Sequence, residues 1–133
     1  MATYHLQIVT PDRLVYDGEA ERVILRTVRG DVCILAKHID YAAPLGTGEA
    51  KVVFEDGNER IAACSSGLLS VSGGEVRVMA TTFEWTEEID LERAQRAQEE
   101  AERRLASLQR EDADFAIAEA KLKRAMTRIG VKG

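Results

Sequence analysis

The chain has neither proline nor glycine between Glu75 and Ile129, and it is poor in cysteine, histidine and aromatic residues. Its two cysteines, Cys33 and Cys64, lack a second ligand at metal-binding spacing, which disfavours a structural metal site. No apolar run approaches the ~20 residues that a helix needs to span a bilayer. The net charge of −5 disfavours nucleic acid as a partner, because binding phosphates needs clustered positive charge.

A catalytic constellation is missing as well. The histidines, His5 and His38, lie far apart, and the Ser-Ser-Gly at 65–67 precedes a predicted strand, not the helix of a hydrolase nucleophile elbow. The Gly-Gly at 73–74 fits a hairpin turn better than a phosphate loop. Both cysteines have apolar, strand-like surroundings, which predicts buried free thiols. The first residues show no basic segment followed by an apolar run, so we expect no secretory signal.

Short apolar stretches with a period of two predict β-strands in the first part of the chain. The clearest is Tyr4, Leu6 and Ile8, which alternate with His5 and Gln7. Further strands are predicted at 14–16, 23–25, 32–35, 52–54, 61–64, 68–71 and 76–79, separated by turn residues. Many short strands at this spacing indicate an all-β sandwich or barrel, which we place at residues 1–86.

Residues 87–133 have the periodicity of two amphipathic helices. We expect Thr86 to cap the first helix and Gly130 to end the second. The first apolar stripe comprises Leu91, Ala94, Gln98, Ala101, Leu105 and Leu108. The second comprises Phe115, Ala118, Leu122, Ala125, Met126 and Ile129. Because a short polar connection joins them, the two helices are predicted to form a C-terminal antiparallel α-helical hairpin.

The two helices differ in charge. Residues 87–108 hold seven acidic and four basic side chains, whereas residues 115–133 hold one acidic and five basic side chains. The alanine-rich seam buries little area, so the hairpin should lean on its own β-domain or on a partner. Such a seam suits a two-position switch, and it suits a fixed structural hairpin equally well.

Two charged clusters carry possible chemistry. Asp90 and Arg93 begin the first helix, with Glu84 upstream, and an intrahelical ion pair is their simplest interpretation. The basic cluster of the second helix comprises Lys123, Arg124 and Arg128, which can also compensate the helix dipole. In a folded hairpin the two clusters together could hold a small anion. Trp85, at the junction, is either a packing anchor or a stacking surface for a ligand.

Several segments in order resemble the epsilon subunit of F-type ATP synthases. The most specific is the Ile-Asp-Leu-Glu-Arg-Ala at 89–94, which is similar to the family's Ile/Leu-Asp-x-x-Arg-Ala motif. Residues 15–20, the glycine-acid … Ile-Leu … His loop at 30–38, and the hairpin at 66–80 also resemble family segments. Cys33 replaces a family glycine and Asp40 a family proline, so the loop can differ in shape.

The resemblance implies a non-catalytic rotor subunit in the central stalk of a proton- or sodium-translocating synthase. Its sandwich would couple the gamma subunit to the c-ring, with Asp31 and His38 at the contact. Its hairpin would extend toward the catalytic alpha/beta head and inhibit ATP hydrolysis. The head-binding residues would be Lys121, Lys123, Arg124 and Arg128. The chain would lie on the cytoplasmic face of the cell inner membrane, peripheral to the bilayer.

The resemblance also implies ATP as a regulatory ligand of the folded hairpin, with no required cofactor. The residues that would hold it are Glu84, Ile89, Asp90, Arg93, Ala94, Arg124 and Arg128. Glu99 and Glu100 occupy the region where some nucleotide-binding members have an arginine, which argues against tight binding. The residues alone also fit a non-catalytic adaptor protein with a fixed helical hairpin, which would not depend on ATP.

Overall fold

The computed structural model describes residues 2–133, so residue 1 of the predicted first domain lies outside it. The strands are β1 (Tyr4–Thr10), β2 (Arg13–Ala20), β3 (Arg22–Thr27), β4 (Gly30–Leu35), β5 (Tyr41–Leu45), β6 (Gly48–Val53), β7 (Glu59–Cys64), β8 (Gly67–Ser72), β9 (Glu75–Ala80) and β10 (Phe83–Trp85). A 3-10 turn (Thr86–Glu88), α1 (Leu91–Ser107) and α2 (Ala113–Lys132) follow. The predicted fold class, a β-sandwich or barrel followed by a helical hairpin, is confirmed.

The strands pair in the order β10-β7-β6-β3-β5-β8-β9-β1-β2, with β4 on β3. The contact of β1 with β9 is parallel, and the other pairings are antiparallel. Only one residue pair, Thr27 with Leu45, joins β3 to β5. The sheet can fold over at this narrow junction and enclose one apolar core, whose fully buried members include Leu6, Leu25 and Leu69.

The alternation predicted for β1 is correct. Tyr4, Leu6 and Ile8 are buried in the core. The Tyr4 hydroxyl donates a hydrogen bond to the Ile34 carbonyl at 2.8 Å, which satisfies the polar group that this burial removes from water. Burial is also the main reason that the pKa of Tyr4 lies above its ordinary value.

Three strand features differ from the sequence prediction. Strand β2 was predicted to end at residue 16 but continues through Gly18, and the Tyr16 side chain occupies the space that a Cβ of Gly18 would need. Strand β5 was not predicted because Pro44 indicates a turn. Pro44 is tolerated because β5 pairs with β8 along one edge and meets β3 only at Leu45. Strand β10, with three residues, is too short to show a period.

The predicted helix ends need correction. Asp90, not Thr86, caps α1, and the Thr86 hydroxyl donates to the Ile61 carbonyl at 2.8 Å instead. Helix α2 continues through Gly130 to Lys132. The predicted burial of the cysteines holds for one of them only: Cys64 is buried, which raises its pKa to about 12, whereas Cys33 is exposed.

The hairpin folds against the β-domain. Alanines form the buried part of its seam: Ala94, Ala101, Ala118 and Ala125. Helix α2 packs on β6 and β7, whereas α1 packs mainly on α2. Neither helix within residues 2–133 combines the length and the apolarity that crossing a membrane requires.

Gly67→Ala is expected to destabilise the β-domain by about 3 kcal/mol, because core overpacking costs of that order are typical. A Cβ at Gly67 would lie 1.9 Å from the Met79 carbonyl oxygen and 2.8 Å from the Ala80 Cα, and paired backbones cannot move apart cheaply. Urea unfolding followed by the fluorescence of Trp85 measures the change. An unfolding free energy within error of the parent would contradict this packing.

Gly130→Ala is the matched control, and its expected effect on stability has the opposite sign. No atom lies within 4 Å of a Cβ at Gly130, and the residue lies inside α2. Alanine should therefore stabilise the helix by about 1 kcal/mol. Thermal unfolding followed by circular dichroism at the helix band should show a higher midpoint.

Candidate functional site

A cleft of about 540 Å³ lies between the β-domain and the hairpin. The β-domain contributes the turn between β1 and β2 and the segment 81–84, and the hairpin contributes the first turns of α1 and Arg128 of α2. Five of the seven residues predicted to hold a nucleotide line it: Glu84, Asp90, Arg93, Ala94 and Arg128. The structure thus brings Arg128 next to Glu84, Asp90 and Arg93, which precede it by more than thirty residues in the sequence.

The other two predicted residues lie beside the cleft. The side chain of Ile89 is buried in the linker before α1. Arg124 lines a second, much smaller depression with Thr127 and Cys64, on the side of α2 that faces β7. Ile89 therefore shapes the chain that enters α1, and Arg124 adds positive charge next to the cleft.

Arg128 links the hairpin to the β-domain. It forms a half-buried ion pair with Glu84 of β10, and one turn later the Lys132 ammonium donates to the Thr86 carbonyl at 3.1 Å. Their spacing of four residues places both side chains on the same face of α2. This face is the one that touches the 3-10 turn and the strands, so the two cations hold the helix end against the β-domain.

Asp90 serves α1 as its N-cap. Its carboxylate Oδ1 accepts a hydrogen bond from the Arg93 backbone N–H at 3.1 Å. The contact between these two residues is therefore a helix cap, and the Arg93 side chain lines the cleft. The cap fixes the first turn of α1, so the motif positions Arg93 and Ala94 together at the wall of the cleft.

Sequence reasoning missed Arg13 and Glu88, which face each other in the cleft. The two Arg13 Nη atoms donate to the two carboxylate oxygens of Glu88, both at 2.8 Å. This guanidinium is the main cause of a lowered pKa at Glu88. Glu88 also accepts a hydrogen bond from the Trp85 backbone N–H at 3.0 Å. Because the two residues are 75 positions apart, no local pattern indicates that their side chains meet.

Trp85 is a packing anchor. Its side chain is buried, Phe83 packs edge-on against it, and the Arg60 guanidinium lies 3.9 Å from its ring centroid. Arg60 in turn pairs with Glu87 of the 3-10 turn. The ring is therefore not available as a stacking surface, and it holds the linker on the β-domain.

The predicted partner contacts lie on two separate surfaces. Asp31 pairs with Arg26 at 2.5 Å, and the His38 ring packs edge-on against Tyr41. Around this loop three apolar side chains are exposed: Val28 by 65%, Leu35 by 51% and Ile39 by 78%. On α2, the side chains of Lys121 and Lys123 are exposed, whereas those of Arg124 and Arg128 are half-buried toward the β-domain.

Comparisons with known proteins match both parts of the chain. The model for the beta-sandwich domain of the ATP synthase delta/epsilon chain matches residues 3–86, and that for its long alpha-helix domain matches residues 87–133. The ATP synthase epsilon chain of Shouchella clausii is 45% identical over 98% of this chain and 96% of its own length. That of Alkalihalophilus pseudofirmus is 41% identical over 100% and 99%.

Comparison with solved structures also finds ATP synthase chains. A chain of the Euglena gracilis mitochondrial ATP synthase, in a structure of its OSCP/F1/c-ring part, superposes with a TM-score of 0.80 at 26% identity, over 96% of this chain and 79% of that one. A chain from the central stalk and c-ring of the Tetrahymena thermophila enzyme, at 12% identity and a TM-score of 0.64, shares the fold. With two family models that together span residues 3–133, this chain belongs to the ATP synthase epsilon chains.

Proposed function

We propose that this chain is a rotor subunit that couples the gamma subunit to the c-ring, and that its hairpin inhibits ATP hydrolysis when it leaves the β-domain. Epsilon chains are non-catalytic subunits of the synthase, so the function lies in contacts and not in chemistry. The observation that carries the proposal is the composite cleft, because its walls come from both the β-domain and the hairpin. A ligand of this cleft favours the docked hairpin over any other position.

The loop of residues 28–41 is the proposed contact with the c-ring. Exposed apolar side chains flank Asp31 and His38 there, and such a patch on a small domain is typical of a protein interface. The related Euglena chain, from a structure that includes F1 and the c-ring, supports this assignment. In that place the chain would lie peripherally on the cytoplasmic face of the inner membrane.

Helix α2 is the proposed inhibitory element. In the docked hairpin, Lys121 and Lys123 are exposed, and Glu84 neutralises Arg128. Extension of the hairpin would release Arg128 and expose it with Arg124, which adds two cations to the two lysines that are already exposed. An acidic surface on the catalytic alpha/beta head would then attract the helix, and charge complementarity of this kind mainly raises the association rate.

ATP is the proposed regulatory ligand of the docked form. The cleft has guanidinium groups of Arg93 and Arg128 for phosphate oxygens, and carboxylates of Glu84 and Asp90 for hydroxyl or amino groups. Because Glu84 already pairs with Arg128, a ligand must compete for that cation. We therefore expect weak binding that biases the position of the hairpin.

The double variant Lys121→Gln with Lys123→Gln should raise the half-inhibitory concentration for the catalytic head about tenfold. It removes two exposed cations and leaves the contacts that hold the docked hairpin unchanged. The measurement is ATP hydrolysis by a head complex without epsilon, to which the variant is added. The control is Arg96→Gln with Arg103→Gln, which removes two exposed cations from α1. Equal inhibition by both double variants and the parent would contradict the assignment to α2. Binding without inhibition by any of them, the parent included, would leave the coupling role and favour a fixed hairpin.

Arg93→Gln should weaken ATP binding about tenfold, since hydrogen bonds between a guanidinium and a phosphate are worth roughly 1.5–3 kcal/mol. Isothermal titration of the full chain gives the dissociation constant. Arg96→Gln, one turn further along α1 and outside the cleft, is the matched control and should bind ATP like the parent. If both variants bind ATP equally well, the cleft is not the nucleotide site.

A further inference from the structure

The ion pair of Arg13 and Glu88 occupies the candidate nucleotide cleft without being part of the predicted site. It is bidentate, with two N–H···O distances of 2.8 Å, and Arg13 also donates to the Phe83 carbonyl at 3.2 Å. Thr10 and Arg13 pair at the end of the β1–β2 hairpin, so this arginine projects from a fixed position of the β-domain. Glu88 lies on the linker that leads into the hairpin.

The charges of the cleft make this pair important. Three cations, Arg13, Arg93 and Arg128, face four carboxylates, Asp12, Glu84, Glu88 and Asp90. A polyphosphate therefore meets a cleft with no surplus of positive charge. A guanidinium fork fits a phosphate as well as it fits a carboxylate, so Arg13 has the geometry of a phosphate ligand but is engaged by Glu88.

The pair is also accessible to exchange. The side chains of Arg13 and Glu88 are 41% and 34% exposed. Ion pairs with this much solvent contact contribute little to stability, so a ligand that offers Arg13 new oxygens can replace the carboxylate at a small cost. A deeply buried pair would not open in this way.

We propose that Arg13 is an additional phosphate ligand of the cleft and that Glu88 competes with the nucleotide for it. Glu88 thereby acts as an internal anion that keeps the affinity for ATP low. This inference rests on the proposed role of ATP and adds to it two residues that lie outside the Ile-Asp-x-x-Arg-Ala motif.

Glu88→Gln is expected to bind ATP about three- to tenfold more tightly than the parent, because it frees Arg13 and removes one negative charge. Arg13→Gln in the Glu88→Gln background should return the affinity to about the parent value. The measurement is isothermal titration of the full chain with ATP at fixed ionic strength, repeated with AMP. A phosphate ligand predicts a larger gain for ATP than for AMP.

The neighbouring pair Arg60–Glu87 provides the matched control. Glu87 precedes Glu88 in the same 3-10 turn and pairs with an arginine of the β-domain, but neither residue lines the cleft. Glu87→Gln, alone and with Arg60→Gln, changes charge next to the site without touching it. These variants should leave ATP binding within about twofold of the parent, since exposed charges outside a site act weakly.

The outcomes separate this inference from the proposed function. If Arg93→Gln weakens ATP binding and Glu88→Gln changes nothing, the nucleotide site stands and the role of Arg13 is overturned. Equal gains from Glu87→Gln and Glu88→Gln would also overturn it, in favour of a general charge effect. If neither the parent nor any variant binds ATP, both proposals fall. If Glu88→Gln does not fold, Arg13→Gln alone tests the inference. It is expected to weaken ATP binding, and unchanged binding would overturn the role of Arg13.

Discussion

The ion pair between Glu84 and Arg128 is the contact on which the docked arrangement depends. Arg128 is on α2, the helix that packs on β6 and β7, and α1 reaches the β-domain mainly through α2. If this contact opens, the end of α2 keeps only the hydrogen bond from Lys132 to the Thr86 carbonyl near β10, and Arg128 no longer fixes its wall of the cleft. An ion pair with partial solvent contact contributes little free energy, and its strength falls as the salt concentration rises. The docked state is thus held by a contact that other charged groups can displace.

The alanine seam also leaves the arrangement of the hairpin weakly fixed. The buried residues of the hairpin are alanines on both helices, and each alanine buries far less apolar area than a leucine would. Small side chains let α1 and α2 approach closely without committing much free energy to one arrangement. The start of the linker is held more firmly, because the buried Trp85 ring packs against Phe83 and the Arg60 guanidinium. Because the linker is held more firmly than the hairpin, movement can begin where the linker meets α1.

The sequence was informative where local physics decides the structure. The alternation of Tyr4, Leu6 and Ile8 predicted a buried strand face, and the helical period predicted both helices. It misled where the fold overrides local signals: Pro44 lies in a strand because one edge needs no donor, and Gly130 stays within α2. Five of the seven residues that the resemblance implied for a nucleotide line the composite cleft, and three of them belong to the motif at 89–94. Arg13 could not be predicted, because its role depends on a contact across 75 residues.

The composite cleft links ligand binding to the position of the hairpin. A ligand that binds only the docked form stabilises it by an amount that grows with the logarithm of concentration, about 2.7 kcal/mol at one hundred times the dissociation constant. Reversal of a 99:1 preference requires about 5.5 kcal/mol. In the proposed regulation by ATP, every carboxylate that pairs with a cleft arginine lowers the affinity, so Glu84 and Glu88 would restrict ATP to a graded influence. The same carboxylates hold the hairpin and the linker in place without ATP, since Glu84 binds α2 and Glu88 binds the turn between β1 and β2. Docking in the absence of nucleotide and the proposed weak response to nucleotide would therefore have one physical origin.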